Sequence, residues 1–184
     1  MVNWKFGAKS GEVNAGADWL AQVTIRHMRE DDLPAMEWDG EYSHFRRVYR
    51  DAYQRMLRGQ SIIWVAELAP MNLIGQVFIQ FYCDRPELAD GISRAYLYSF
   101  RVRNPYRGRG LGTRIMDTVE MDLKRRGFEY VTLNVARDNP RAQQLYIRRG
   151  YYVVAPEPGI WLYPDEHGNW RRVEEPAWRM EKIL

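Results

Sequence analysis

The sequence predicts a single α/β domain, and three observations lead to this prediction. Strand-like apolar runs alternate with amphipathic helix patterns along most of the 184 residues. Hydrophobic residues make up 46% of the chain, which is enough to bury a substantial core. Near the middle, a turn over residues 107–113 with glycine at every second position leads from a predicted strand directly into a predicted helix.

The first third of the chain is predicted to contain an extension, a strand and two helices. Residues 1–18 are rich in Gly, Ala, Ser and Asn and show no periodicity, so we interpret them as a flexible extension in front of a single domain over 19–184. A strand is predicted over 22–28. A short helix follows to about residue 38, because acidic residues and a proline occupy its first turn. A second helix, over 42–57, carries an aromatic stripe on one face.

The middle of the chain is predicted to form three strands, a long helix and a fourth strand. Apolar runs over 61–68 and 73–82 are separated by turn residues and predict an antiparallel hairpin. The next strand, over 95–102, ends at the glycine-rich turn. The helix after that turn begins at about residue 111 and is closed by three basic residues and a glycine. Alternating apolar positions predict a further strand over 130–136.

The last part of the chain is predicted to add one helix and two strands to this pattern. The helix covers 139–149, because Asn139 is a suitable N-cap and a proline follows it at the first helical position. Short strands are predicted over 151–154 and 178–183. Between them, residues 156–176 change in character and predict an inserted hairpin or loop with several aromatic side chains.

Composition and charge limit the class of protein. A net charge of +3 and a pI near 9.0 suit a polyanionic small ligand, whereas nucleic-acid binding usually needs a concentrated basic face, so we expect no nucleic-acid partner. The single Cys83 and three histidines without ligand spacing predict neither a disulfide framework nor a metal site. No apolar run approaches membrane-spanning length and the sequence starts without a signal-peptide core, so we expect a cytoplasmic protein without membrane contact.

The glycine-rich turn has the features of a phosphate-binding loop. Glycines allow tight turns and close approach of backbone N–H groups to a ligand, and the positive end of the following helix dipole points into the loop. A Walker A loop would need a lysine before Thr113, and none is present. A dinucleotide fingerprint would need wider glycine spacing and an acidic residue that closes the next strand, but the glycines here are one residue too close and that strand ends in Ala136-Arg137-Asp138.

Two motifs together resemble those of one enzyme superfamily. The pattern Arg107-x-x-Gly110-x-Gly112 after a strand resembles the acetyl-coenzyme A motif of the GNAT (GCN5-related N-acetyltransferase) superfamily. The pattern Asn139-x-x-Ala142-x-x-x-Tyr146-x-x-x-Gly150-Tyr151 resembles the next motif of the same superfamily, at matching spacing. The resemblance implies a mixed, mostly antiparallel sheet with helices on both faces and a central parallel strand pair that splays apart.

The same resemblance implies an N-acetyltransferase that uses acetyl-CoA as co-substrate and transfers the acetyl group directly to a primary amine. The loop amides would bind the pyrophosphate, the backbone of residues 100–102 would pair with the pantetheine arm, and the amide of Val102 would contact the oxyanion. The cofactor-binding residues implied in this way are Phe100, Arg101, Val102, Arg107, Gly108, Arg109, Gly110, Leu111, Gly112, Thr113, Asn139 and Ala142. The acceptor is left open between a small-molecule amine and a protein N-terminus or lysine.

The family pattern maps the proton donor onto Tyr146, while a purely structural packing role for this residue stays open. No Glu or Asp lies on the strand before the loop, so the general base has no single candidate. We consider Asp39 and Glu41, which are flanked by aromatic residues, and Glu67 on the hairpin; Glu37 is a further candidate. The missing strand carboxylate also leaves a non-catalytic acyl-CoA sensor or adaptor as the alternative function. The aromatic residues of 156–176 either pack the inserted hairpin or line the acceptor site. The predicted edge strands are compatible with a homodimer.

Overall fold

A seven-stranded sheet forms the centre of the computed structural model, which describes residues 19–70 and 72–184. The predicted extension over 1–18 lies outside the described residues. The strands and helices, in chain order, are α1 (Trp19–Gln22), β1 (Thr24–His27), α2 (Arg46–Leu57), β2 (Ser61–Ala69), β3 (Asn72–Gln80), β4 (Arg94–Val102), α3 (Leu111–Arg125), β5 (Tyr130–Ala136), α4 (Pro140–Arg148), β6 (Tyr152–Glu157), β7 (Ile160–Pro164), β8 (Trp170–Glu174) and β9 (Ala177–Ile183).

The sheet is mixed and mostly antiparallel, in the order β1-β2-β3-β4-β5-β9-β6. Among the described strands, β4 and β5 are the pair that runs parallel, and they face each other only from Arg94 and Tyr130 to Leu97 and Leu133. Beyond this point the two strands no longer pair with each other: β4 stays paired with β3, and β5 stays paired with β9. The predicted mixed sheet with a central parallel pair is therefore confirmed.

Two apolar cores lie on opposite faces of the sheet, as side-chain alternation along β2 requires. Ile63 and Val65 pack with Tyr49 and Tyr53 of α2 on one face. The side chains that alternate with these two along β2 point to the opposite face of the sheet, where they pack with residues of α3 such as Ile115. Helices therefore cover both faces of the sheet, as the sequence predicts.

A bulge in β4 reverses the alternation of its side chains at the point where the cleft begins. Gln76 of β3 faces Arg101 and Phe78 faces Tyr98, so Ser99 and Phe100 together oppose a single residue of β3. Ser99 adopts a φ of 49°, a left-handed conformation that suits the extra residue of a bulge. As a result Phe100 reaches Gly112 on the α3 face, whereas the Arg101 side chain reaches Tyr49 on the α2 face.

The structure corrects the prediction for the segment between β1 and α2. The predicted short helix up to residue 38 is two separate 3-10 turns, Glu30–Asp32 and Ala35–Glu37. Trp38, Asp39 and Gly40 then have φ values of 47°, 60° and 94°, and successive left-handed residues cannot continue a right-handed helix. The second predicted helix consequently begins at Arg46 rather than at residue 42.

Residues 160–174 form a two-stranded hairpin that packs against the start of α2. The ring of Tyr163 lies 4.8 Å from that of Phe45, and Arg47 Nε donates a hydrogen bond of 3.4 Å to the carbonyl of Glu166. Gly159 precedes the hairpin with a φ of 66°, and a Cβ at this position would lie 1.7 Å from the carbonyl oxygen of Glu175. A glycine is therefore required for the two strands to meet at the base of the hairpin.

Candidate active site

A cleft of about 520 Å³ opens where β4 and β5 diverge. Its walls come from the end of β4, from the glycine-rich turn and start of α3, from α4, and from the segment before α2. The lining residues are Tyr42, Phe100, Arg101, Val102, Arg107, Gly108, Gly110, Gly112, Thr113, Asn139, Arg141, Ala142, Leu145, Tyr146 and Arg148. The cleft thus reaches from the face covered by α3 and α4 to the face covered by α2.

The backbone of Val102 faces the opening rather than the neighbouring strand. The N–H of Arg103 donates a hydrogen bond of 2.8 Å to Ile74 in β3, and successive N–H groups of a strand point to opposite edges. The N–H of Val102 consequently points into the gap left by β5. Its carbonyl points to the same side, where Arg107 Nε donates a 2.6 Å hydrogen bond to it.

The glycine-rich turn places backbone N–H groups and positive charge at one end of the cleft. Gly110 is the residue before α3 and has a φ of 90°, and Gly108 has a φ of 73°. A side chain at Gly108 would collide with Arg141, because its Cβ would lie 2.4 Å from Arg141 Nη2. The first-turn amides of α3 point toward the turn, so this end of the cleft can bind an anion such as a phosphate.

The helix α4 forms the second wall and is fixed by its predicted cap. Asn139 Oδ1 accepts a hydrogen bond of 3.1 Å from the backbone N–H of Ala142. Arg141, Leu145 and Arg148 of the same helix also line the cleft, although neither motif indicates them. Their spacing of four and three residues places them on one face, and this is the pattern by which they could have been found.

Of the twelve residues that the family motifs indicate for cofactor binding, ten line the cleft. The two others flank Gly110. Leu111 is fully buried in the core beneath α3, and Arg109 is exposed at the tip of the turn. Tyr42, from the segment before α2, lines the cleft although no motif indicates it.

Tyr146 lines the cleft and is otherwise surrounded by protein. Its side chain is 6% exposed, and its ring centroid lies 5.6 Å from that of Tyr151. Burial raises the pKa of the Tyr146 phenol well above its ordinary value, and the nearby Tyr96 adds to this shift. The phenol is therefore in its protonated form at neutral pH and can donate a proton or a hydrogen bond into the cleft.

Carboxylates are missing from the described residues that line this cleft. Among the base candidates, Glu41 lines a smaller cleft of about 150 Å³, which shares Arg107 with the main one. Asp39 is exposed and its Oδ2 lies 2.9 Å from Arg103 Nη1. Glu37 is held by Arg46 in a two-bond contact of 2.5 and 2.7 Å.

Glu67 lies on a different part of the sheet from the cleft wall. Its Oε2 accepts a hydrogen bond of 2.8 Å from Arg26 Nε, and Arg26 also binds Asp32 through both of its terminal nitrogens. Glu67 faces Thr24 of β1 at the far side of the sheet from β5. The three charged residues therefore connect β1 and β2 to the first 3-10 turn.

No group of side chains suited to hold a metal ion occurs within residues 19–70 and 72–184. In the same ranges, none of the helices has the length and apolar character needed to cross a membrane.

Comparisons with known proteins identify the family to which a chain with this fold and this cleft belongs. The model of the Acetyltransferase (GNAT) family matches residues 24–151, and the chain belongs to this family. The chain is also 24% identical over 131 residues to the uncharacterized N-acetyltransferase YycN of Bacillus subtilis strain 168, a match that covers 70% of this chain and 81% of that protein.

Solved structures of several acetyltransferases share the fold. The ribosomal-protein-S18-alanine N-acetyltransferase of Escherichia coli superposes with a TM-score of 0.65 at 19% identity, covering 88% of this chain and 94% of that chain. A GCN5-related N-acetyltransferase from Kribbella flavida gives a TM-score of 0.62 at 24% identity, covering 90% of this chain and 99% of that chain. At these identities the similarity shows the fold and does not indicate the acceptor.

Proposed function

We propose that the protein transfers an acetyl group from acetyl-CoA to a primary amine by direct attack within a ternary complex. The observation that carries this proposal is the cleft itself. It combines an anion-binding turn, an unpaired strand edge and a protonated tyrosine along one continuous opening between β4 and β5. Family membership supplies the expectation that acetyl-CoA is the acyl donor.

The residues around the turn fit the phosphate groups of coenzyme A. Backbone N–H groups from Gly108 to Thr113 and the positive end of α3 would hold the pyrophosphate. Arg107, Arg141 and Arg148 add positive charge along the same wall. Backbone groups of residues 100–102 along the open edge of β4 would pair with the amide groups of the pantetheine arm in the way that an added strand pairs with an open sheet edge.

Two groups of the chain would act on the reacting atoms. The amine attacks the thioester carbonyl, a C–N bond forms, and the N–H of Val102 would stabilise the oxyanion that develops. When the intermediate collapses, the C–S bond breaks and the leaving thiolate needs a proton. Tyr146 would donate this proton, because its phenol remains protonated at neutral pH.

The proton lost by the incoming ammonium would leave by way of Glu41 or Asp39. We favour Glu41, since it lines the adjoining cleft and borders Tyr42, whereas Asp39 forms an ion pair with Arg103. The Glu41→Gln enzyme would then show a lower kcat/KM with a shifted pH dependence, and Asp39→Asn serves as the matched comparison.

A binding experiment and a turnover experiment together test the proposed function. Isothermal titration with acetyl-CoA should give a saturable signal, and a thiol-release assay over a panel of amines and peptides should then detect free CoA that depends on an acceptor. Absence of acetyl-CoA binding up to millimolar concentration contradicts the proposal. The N-acetylated product is identified by mass spectrometry to exclude simple thioester hydrolysis.

A second function is favoured by one specific observation, the lack of Asp and Glu among the described residues that line the main cleft. A non-catalytic acyl-CoA sensor would keep the phosphate-binding turn but would not need a general base. It would bind acetyl-CoA without releasing CoA in the presence of any amine. The same pair of experiments therefore separates the sensor from the enzyme.

A further inference from the structure

The guanidinium group of Arg101 occupies the end of the cleft that lies on the α2 face. Its central carbon lies 4.4 Å from the ring centre of Tyr42 and 4.9 Å from that of Phe45. Arg101 precedes Val102, the residue whose N–H points into the gap between β4 and β5, and Arg101 itself lines the cleft. The bulge at Ser99 directs this side chain to the face opposite α3 and the phosphate-binding turn.

The positive charge of Arg101 has no acidic partner among the described residues. One of its terminal nitrogens donates a hydrogen bond of 2.8 Å to the hydroxyl of Tyr49, and a guanidinium has five N–H donors. Other arginines nearby are paired with carboxylates, as Arg103 is with Asp39 and Arg46 is with Glu37. Contacts with aromatic faces compensate a buried cation less fully than an ion pair does. A half-buried arginine that borders a cleft without an anion has the properties of an anion-binding group.

A second polar residue on the same face supports this interpretation. Gln76 faces Arg101 across β3 and β4, so both side chains project toward α2. The Gln76 side chain is 1% exposed and lies within hydrogen-bonding reach of the Tyr49 hydroxyl, the group to which Arg101 also donates a hydrogen bond. Buried amides are normally hydrogen-bonded, so Gln76, Tyr49 and Arg101 together form a polar cluster on the α2 face beside the cleft.

We propose that the acceptor carries a carboxylate group close to its amine, as a free amino acid does, and that Arg101 binds this carboxylate. This inference rests on the proposed acetyltransferase function and extends it to the class of acceptor. The guanidinium would form a two-bond contact with the carboxylate and orient the amine toward the thioester beside Val102. Tyr42 and Phe45 contact the guanidinium, and the N–H groups that do not bond Tyr49 are left for the ligand.

The phosphates of coenzyme A do not account for Arg101. The residues suited to bind them lie around the glycine-rich turn and α4, at the other end of the cleft and on the opposite face of the sheet. The backbone of Arg101 borders the strand edge, whereas its side chain contacts α2 and the residues before it. The backbone and the side chain of this residue therefore serve two different ligands.

The test compares acceptors that differ only in the carboxylate. Free amino acids, such as L-phenylalanine, are assayed beside the corresponding amide and the decarboxylated amine, and kcat/KM is corrected for the fraction of neutral amine. We expect the free amino acid to be favoured at least tenfold. N-acetyl-L-phenylalanine should likewise inhibit the wild-type enzyme at a lower concentration than its amide does.

Substitution of Arg101 separates ligand binding from structural effects. Arg101→Gln should raise the KM for the amino acid at least tenfold and reduce its advantage over the amide, and Arg101→Lys should restore part of the effect. The KM for acetyl-CoA should change less than threefold. The exposed Arg125→Gln serves as the matched control, because this residue lies at the end of α3 away from the cleft.

Each outcome decides the question. Equal or better turnover of the amide, the decarboxylated amine or a peptide overturns the carboxylate inference and leaves the acetyltransferase function intact. Acetyl-CoA binding without acetylation of any free amino acid also overturns it. Loss of acetyl-CoA binding in the titration contradicts the proposed function itself, so the two failures are distinguishable.

Discussion

Leu97 of β4 and Leu133 of β5 are the last residues at which the two parallel strands face each other, and every residue of β4 that lines the cleft lies beyond Leu97. This divergence leaves part of β4 with one open edge in the middle of a sheet. An unpaired strand edge is normally a liability for a soluble fold, because it exposes N–H and carbonyl groups that can pair with another chain. Here the edge lies inside a cleft, where a bound ligand can satisfy these groups.

The first prediction concerns the amide hydrogen of Val102. When a ligand is hydrogen-bonded to this N–H, the bond must open before the amide hydrogen can exchange with solvent. We therefore expect saturating acetyl-CoA to slow its exchange by about tenfold or more, measured by NMR. Arg103 is the control, since its N–H already bonds Ile74 at 2.8 Å without ligand. Equal exchange of Val102 with and without acetyl-CoA would show that the arm does not pair with this edge.

The second prediction is that Tyr146→Phe lowers kcat and leaves binding of acetyl-CoA within about threefold. Loss of a general acid typically reduces turnover by about 10²–10⁴-fold. Removal of the hydroxyl alone keeps the packing of the ring against Tyr151. Tyr82→Phe is the matched control, because Tyr82 is 62% exposed and away from the cleft. Unchanged kcat would assign Tyr146 a packing role.

The third prediction concerns the pH dependence of kcat/KM. Burial raises the pKa of Tyr146, so the proton-donating form persists to higher pH than it would for an exposed tyrosine, whose pKa is about 10. We expect kcat/KM to rise with pH as the acceptor ammonium loses its proton, with no decrease from Tyr146 up to about pH 10. A descending limb below that pH that disappears in Tyr146→Phe would identify Tyr146 as the acid but contradict the raised pKa of its phenol.

The fourth prediction is that Gly110→Ala weakens acetyl-CoA binding more than it lowers stability. Gly110 has a φ of 90°, and a non-glycine residue there costs about 1–2 kcal/mol or distorts the turn that presents the amides. Gly127→Ala carries similar strain, since its φ is 89°, but it follows α3 far from the turn. Titration should show at least a tenfold weaker affinity for Gly110→Ala and an unchanged affinity for Gly127→Ala.

Local chemistry explains which features the sequence could predict. Glycine at position 110 and Asn139 act on their immediate neighbours, so their roles at the starts of α3 and α4 follow from residue type and spacing. The bulge at Ser99 has no such local pattern, because serine is compatible with an ordinary strand. Without the bulge, Arg101 would project to the α3 face, and the sequence therefore could not indicate its place beside Tyr42.

The base candidates show the same limit. Residue type and sequence neighbours indicate Asp39, Glu41 and Glu67, but the environments of Asp39 and Glu67 depend on partners far along the chain. Arg103 pairs with Asp39 across 64 positions, and Arg26 pairs with Glu67 across 41. Such long-range ion pairs depend on the packing of separate elements, and no local pattern specifies them.

The last prediction is that Asp32→Asn destabilises the fold in a pH-dependent manner. Burial by itself would raise the pKa of Asp32, but hydrogen bonds from the Arg26 guanidinium, at 2.7 and 2.8 Å, and from the Arg29 N–H, at 2.7 Å, lower it below its ordinary value. A depressed pKa stabilises the folded state above the unfolded pKa of about 3.9, and this contribution is lost as the pH falls through the lower folded value.

At pH 7 we expect Asp32→Asn to reduce the free energy of unfolding by about 1.5–3 kcal/mol, the usual value for hydrogen bonds to a charged group. The side chain is almost fully buried, so solvent screens this contribution little. Urea unfolding measured between pH 7 and pH 2 should show the wild type and the variant converging below about pH 4, as the wild-type carboxyl takes up its proton. The exposed Asp31→Asn should change stability by less than about 0.5 kcal/mol throughout. A constant difference between Asp32→Asn and the wild type over this range would mean that packing, rather than the charge of Asp32, stabilises the turn.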